Sequence, residues 1–225
     1  MLNNKFKRRL LTTSLSLNAV FVLFFVSKRI YYVNYIFFHP SPTVDERWNV
    51  FLNSKNDGKE VVFLGTSITQ GFNVSKEFNT PLIKNMGFSG NTTSTILSNL
   101  KRVISRKPYK IFIEGGINDF KYKIPLDTAV YNIVEMIKSV QLKSPKTVLY
   151  IQSEFPTNLK KLNDTINFYN IKIQSICKEK GVNFINMHND FLRHGSIDSS
   201  LTLDGTHLNE TGYFFWRKNI EQFVQ

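Results

Sequence analysis

Five short apolar runs, separated by longer segments with apolar residues at helical spacing, constrain this chain more than any other feature of its sequence. The runs are residues 61–64 (closed by Gly65), 85–88, 110–114, 147–152 and 183–186. Runs of this length between turn signals read as strands buried on both faces, although residues 85–88 signal it weakly. Between them, residues 92–106 carry Ile96, Leu97, Leu100, Val103 and Ile104 on one helical face. Residues 126–143 do the same with Val130, Ile133, Val134, Ile137 and Val140. Residues 162–180 form a third helix capped by Gly181, and residues 210–224 a last one. A further helix is expected over residues 44–52, with Trp48 and Phe51 on one face. Alternation of this kind predicts an α/β fold whose parallel sheet is covered on both faces. Such sheets bind ligands at the C-terminal ends of their strands, so the residues after each run carry the search for chemistry.

Before that domain the pattern is different. Residues 10–26 are 17 positions without a charge, preceded by Lys5, Lys7, Arg8 and Arg9 and followed by Lys28 and Arg29. At about 1.5 Å per residue the run is roughly 25 Å of helix, at the short end for a bilayer. Tyr31, Tyr32, Tyr35, Phe37 and Phe38 follow, as suits a membrane interface. No small-residue cleavage pattern follows the run, so an uncleaved anchor is expected rather than a removed signal peptide. The heavier basic flank lies N-terminal, which places the N-terminus in the cytoplasm and the remainder outside. The expected organisation is an anchor over residues 1–38, a linker and first helix over 39–58 (opened by His39-Pro40-Ser41-Pro42), and the α/β domain over 59–225.

Charge bears on partners. The net charge is +12, but half of it comes from the six basic residues before position 39, where no acid occurs. The rest is spread thinly, so no nucleic-acid surface is expected. A single cysteine, Cys177, excludes an internal disulfide and a multi-cysteine zinc site. It reads as a buried hydrophobe. His188 and His194 flank Asp190 without a third ligand in view, so they read as surface histidines and no metal is expected.

Three places could do chemistry. Gly65-Thr66-Ser67-Ile68-Thr69 follows the first run, where a serine at a strand-to-helix turn exposes its hydroxyl at the sheet edge and the preceding Gly65 relieves the tight turn. Thr69 stands where a G-x-S-x-G elbow needs glycine, so that motif is absent, and the segment alone equally describes an N-cap. Asp204-Gly205-Thr206-His207 puts a carboxylate within one turn of an imidazole, so the acid can hold the ring while its other nitrogen takes a proton. Asp-Gly is also an ordinary turn. Gly90 and Asn118 follow the second and third runs and can supply an N–H and a side-chain amide to an oxyanion. A turn with positive φ at Gly90 and capping by Asn118 or Asp119 explain them as well.

Taken together, these blocks resemble the SGNH/GDSL hydrolase superfamily over about residues 60–215. The blocks are Val62 to Ser67, Gly87 to Thr93, Gly116 to Asp119, and Leu203 to Asn209, with Gly212-Tyr213 closing the pattern. The resemblance implies a three-layer α/β/α sandwich with a five-stranded, flavodoxin-like parallel sheet. It implies Ser67 as nucleophile, His207 as base and then acid, and Asp204 as the residue orienting His207. The oxyanion hole it implies is the Ser67 N–H, the Gly90 N–H and the Asn118 amide. No metal and no cofactor are implied. One departure stands out: the family's Gly-Asp-Ser reads Gly-Thr-Ser here, with Thr66 in place of the acid. Because the orienting acid is Asp204, the change leaves the three catalytic positions in place and bears on the turn that carries Ser67.

The leading expectation is a membrane-anchored serine esterase removing O-acyl groups, O-acetyl foremost, from cell-surface carbohydrate. Three alternatives remain at this stage: transfer of the acyl group to a polysaccharide hydroxyl, cleavage of a lysophospholipid or thioester, and a non-catalytic scaffold. A small-molecule or glycan acyl ester is the expected partner in the catalytic readings.

Overall fold

The computed structural model describes Val26 and residues 43–225. The chain divides into two units, residues 1–46 and 47–225. The expected anchor, Val26 apart, lies outside the described residues. Among the described residues no helix is long and apolar enough to cross a membrane.

Five strands form one parallel sheet: β1 Val61–Gly65, β2 Ile83–Gly87, β3 Lys110–Ile113, β4 Val148–Gln152 and β5 Asn183–Ile185, in the order β2-β1-β3-β4-β5. Helix α1 spans Val44–Asn53. Short helices α2 (Ser67–Gly71) and α3 (Val74–Phe78) follow β1, and α4 (Thr93–Ser105) follows β2. Helices α5 (Ile117–Lys121) and α6 (Leu126–Lys143) follow β3, and α7 (Lys160–Lys180) follows β4. After β5 come α8 (His188–Phe191), a two-stranded ribbon (β6 Leu192–Arg193, β7 Ser196–Ile197), a 3-10 turn (Ser199–Leu201) and α9 (Glu210–Val224).

Side chains alternate along β1, and this builds the layers. Val62 and Leu64 enter a core with Trp48 of α1, Ile96 and Leu100 of α4, Ile133 of α6 and Ile173 of α7. Val61 and Phe63 enter the other core, with Phe72, Phe155, Phe191 and Trp216. That second core is largely aromatic. Phe63, Phe112 and Tyr150 share one register row across β1, β3 and β4, with ring centroids 4.7 and 4.6 Å apart. Both faces are therefore covered, as the apolar runs require.

The five expected strands are all present, with displaced ends. The second starts at Ile83, two residues early, because Ile83 and Lys84 pair with Val61 and Val62 across the sheet. The pairing partner, and no local signal, sets that boundary. Helix α7 begins at Lys160 rather than 162. A helix after Ser67 was expected without bounds and is the short α2; the short helices α3, α5 and α8 and the β6–β7 ribbon were not expected. They are too short to show a hydrophobic period.

The order of the sheet matters for the site. From β1 the chain steps to β2 on one side, then returns past β1 to β3 on the other. A crevice opens at such a switch point, outside the carboxyl ends of the strands. Ser67 follows β1 and Asn118 follows β3, so both stand at its mouth.

Candidate active site

Ser67 is the first residue of α2, and its neighbour Thr66 is the N-cap, accepting from the Ile68 N–H. The turn is held from several directions. Asn85 of β2 donates to the carbonyls of Thr69 (2.6 Å) and Phe72 (2.7 Å). Tyr213 of α9 donates its hydroxyl to the Ile68 carbonyl at 2.9 Å. Ser67 itself is half-buried, with its hydroxyl 3.0 Å from His207 Nε2.

His207 stands on the loop before α9. Its Nδ1 lies 2.7 Å from Asp204 Oδ2, while Asp204 Oδ1 accepts the N–H groups of His207 (2.8 Å) and Thr206 (2.9 Å). These donors, the imidazole first, hold the Asp204 carboxyl down to about 2. The loop is tied twice more: Thr202 Oγ1 donates to the His207 carbonyl, and the Asn158 N–H donates to the Gly205 carbonyl. Gly205 has φ +85° and its missing side chain leaves room for Asn158, so a bulkier residue would disturb both backbone and neighbour. Sequence separation between Ser67 and His207 is 140 residues, and the fold closes it to one hydrogen bond.

The remaining expected residues connect to the strand end that precedes Ser67. Gly90 has φ +78° in a turn in which the Asn91 N–H donates to the Phe88 carbonyl. Asn91 donates its side-chain amide to the Gly65 carbonyl at 3.0 Å. Asn118 is buried and donates one amide hydrogen to the Asn91 carbonyl at 2.8 Å, which leaves the second for a ligand. One hydrogen-bonded path therefore joins the turns after β1, β2 and β3.

Two sequence expectations need correction. His188 is buried, with Nδ1 3.2 Å from the Glu154 carbonyl, and is not a surface residue. Short helix α8 turns it inward, which residue type could not show. Gly65 was expected to relieve a tight turn. Its φ is not left-handed, and its role is close approach: a Cβ there would sit 2.7 Å from Glu114 Oε2.

Sequence reasoning also missed a set of acids under the site. Glu114, just past β3, is fully buried and accepts from Thr66 N (3.1 Å), Thr66 Oγ1 (2.9 Å) and Thr69 Oγ1 (2.7 Å). Burial raises its carboxyl and those donors pull it back. Asp119 of α5 is buried too, and accepts from Thr93 N (2.8 Å) and Thr93 Oγ1 (2.6 Å) at the start of α4. Glu154, after β4, has no hydrogen-bond partner on either oxygen. An acid beside two glycines, as in Glu114-Gly115-Gly116, was the available signal, because a charged residue ending an apolar strand is seldom idle.

Residues 63–214 match the GDSL-like lipase/acylhydrolase family. Among curated proteins no match is found. Solved structures share the fold. A GDSL-like lipase from Bacteroides thetaiotaomicron is 22% identical with a TM-score of 0.71, covering 81% of this chain and 98% of that one. A variant of an acetyl-xylooligosaccharide esterase from Geobacillus stearothermophilus is 19% identical with a TM-score of 0.63, covering 75% and 95%. A lipase/acylhydrolase from Enterococcus faecalis is 19% identical with a TM-score of 0.62, covering 74% and 95%. With the family match spanning well over half of its residues, this chain belongs to the GDSL-like lipase/acylhydrolase family and is an ester-bond hydrolase.

Proposed function

We propose that this protein is a serine esterase that removes short O-acyl groups, acetyl foremost, from carbohydrate outside the cytoplasmic membrane, to which residues 1–38 tether it. The observation that carries the reading is the continuous line Ser67 Oγ, His207 Nε2, His207 Nδ1, Asp204 Oδ2. Ser67 Oγ attacks the acyl carbonyl while its proton passes to His207 Nε2. Asp204 stays ionised and stabilises the imidazolium. The oxyanion is held by the N–H groups of Ser67 and Gly90 and by the free Asn118 amide hydrogen. Collapse expels the alcohol, which takes the proton from His207. Water then repeats the sequence on the acyl-serine and releases the acid.

Substrate choice draws support from two sources. The Geobacillus neighbour is an acetyl-xylooligosaccharide esterase. Polar side chains stand on the neighbouring loops: Gln70 accepts from the Ser89 N–H, and Lys121 reaches Thr206 Oγ1 at 3.5 Å. Tethering draws on the uncharged run of residues 10–26 between basic flanks.

The test is fluorophosphonate labelling of the full chain beside Ser67→Ala, with release from p-nitrophenyl acetate followed in parallel. Labelling that vanishes in Ser67→Ala, with steady turnover in water, is expected. A burst followed by slow turnover would assign acyl transfer to a sugar instead. No labelling of the folded protein would overturn the serine mechanism. Deleting residues 1–38 should move the protein from the membrane to the soluble fraction; retention in the membrane would refute the tether.

A further inference from the structure

The side chain of Glu154 is fully buried and both of its oxygens lack a hydrogen-bond donor. Its place is otherwise well fixed: the Glu154 N–H donates to Asn170 Oδ1 at 2.8 Å, and Asn170 Nδ2 donates to the Glu154 carbonyl at 3.0 Å. The Ile117 N–H faces the carboxyl without closing a bond of normal geometry. The acid that bears on it most is Glu114, just past the neighbouring strand β3, and Glu154 Cγ packs against Gly116 two residues further on. Two carboxylates cannot bond each other, and two buried charges so placed repel strongly. A carboxylic acid against a carboxylate has no such conflict, and it supplies a short, charge-assisted hydrogen bond.

Which of the two holds the proton follows from their partners. Glu114 accepts from Thr66 N, Thr66 Oγ1 and Thr69 Oγ1, all of which favour its charged form. Glu154 has no such donor. We propose that Glu154 is the proton-bearing member and donates to Glu114, and that this acid pair is the positioning device for the turn carrying Ser67, standing in for the acid that Thr66 replaces. The inference rests on Ser67 being the nucleophile. Glu114 then grips the residue before Ser67 and the residue two after it, and Glu154 grips Glu114.

The groups facing the pair are acidic or neutral: Asp119 of α5, Tyr169 of α7 and Tyr213 of α9, with His188 of α8 bonded to the Glu154 backbone. No lysine or arginine is among these groups, and burial disfavours a charge on His188. Burial, with Glu114 next, accordingly keeps the Glu154 carboxyl protonated well above the usual range. The unfolded chain releases that proton at ordinary carboxylate pH. Over the window between the two, the folded protein binds the extra proton, so stability falls as pH rises through it.

The experiment uses the full chain with Glu154→Gln, Glu154→Leu, Glu114→Gln and Ser67→Ala. Glu154→Gln keeps a donor toward Glu114. It is expected to hold labelling and kcat within about threefold of the parent, to remove the infrared carbonyl band of a protonated acid, and to flatten the fall of Tm with rising pH. Glu154→Leu and Glu114→Gln break the grip, and kcat should drop about tenfold or more at little-changed KM. A parent with no protonated-acid band, or a Tm profile that Glu154→Gln leaves unaltered, would overturn the acid pair. Equal activity losses in Glu154→Gln and Glu154→Leu would do so too. Thr66→Asp should cost activity and Glu114→Gln should restore part of it; simply additive losses would refute the substitution of one acid for the other. Failure of the parent to label would fall on the serine mechanism, while the infrared and Tm measurements still judge the pair.

Discussion

The two ends of the site use acids in opposite environments. Asp204 lies on a surface loop with its side chain 55% exposed, and its carboxyl is held low by His207. Glu154 lies beneath the sheet edge at 0% exposure, and burial holds its carboxyl high. The same functional group is thus an anion at one end and, in our proposal, a proton donor at the other. Water and N–H donors stabilise a charge; an apolar interior with another acid in reach does not. The lesson is that an acid proposed to orient a histidine can be exposed, since its hydrogen bonds alone define its direction. The acid we propose beneath the nucleophile would act by having nowhere to discharge its proton.

The comparison can be broken in descending order of effect. Ser67→Ala or His207→Ala, which remove the reacting groups where the two ends meet, should cut kcat by about 10³-fold or more in p-nitrophenyl acetate assays. A residual rate near the parent would dissolve the site as described. Asn118→Ala removes a preorganised donor from the buried side, and about 10²–10³-fold in kcat is expected with KM nearly steady. Asp204→Asn tests the exposed end. Because solvent can take up part of its role, about a hundredfold loss is expected, below the roughly 10⁴-fold seen where such an aspartate is buried. A loss at the buried-site level would mean that the loop closes over Asp204 when substrate binds.

The smallest effect is on stability in acid. Asp204 has a lowered folded value, so its contribution is present above the ordinary aspartate range and fades as pH falls toward about 2. Asp204→Asn should make the low-pH limb of Tm slightly shallower, and the exposure of the pair keeps this small. Glu154→Gln acts on the opposite limb. Measured together, the two profiles should diverge from the parent at opposite ends of the pH scale.

Much of the fold was legible before any coordinates. The central runs became strands because a strand covered on both faces is largely apolar, and that leaves a local trace; the edge strands β2 and β5, with Lys84, Asn85 and Asn183 partly or fully exposed, leave a fainter one. Helices α4 and α6 were read from their spacing for the same reason. The ends of β2 and the short helices were not, since pairing across the sheet and single turns leave no period to count. The candidate site divides the same way. Ser67, Gly90, Asn118, Asp204 and His207 were named from their positions after strands and from a family resemblance. Asp204 and His207 are three apart, so even their contact was a local matter.

What sequence alone determined, then, is whatever short-range order carries: the alternation of strand and helix, the acid beside its histidine, the serine at a strand end. Tertiary structure decided the rest. It brought His207 across 140 residues to Ser67, turned His188 inward, and set Glu114 against Thr66 and Thr69. A residue's protonation and its partners depend on what surrounds it in space, and distant segments supply those surroundings only after the chain has packed.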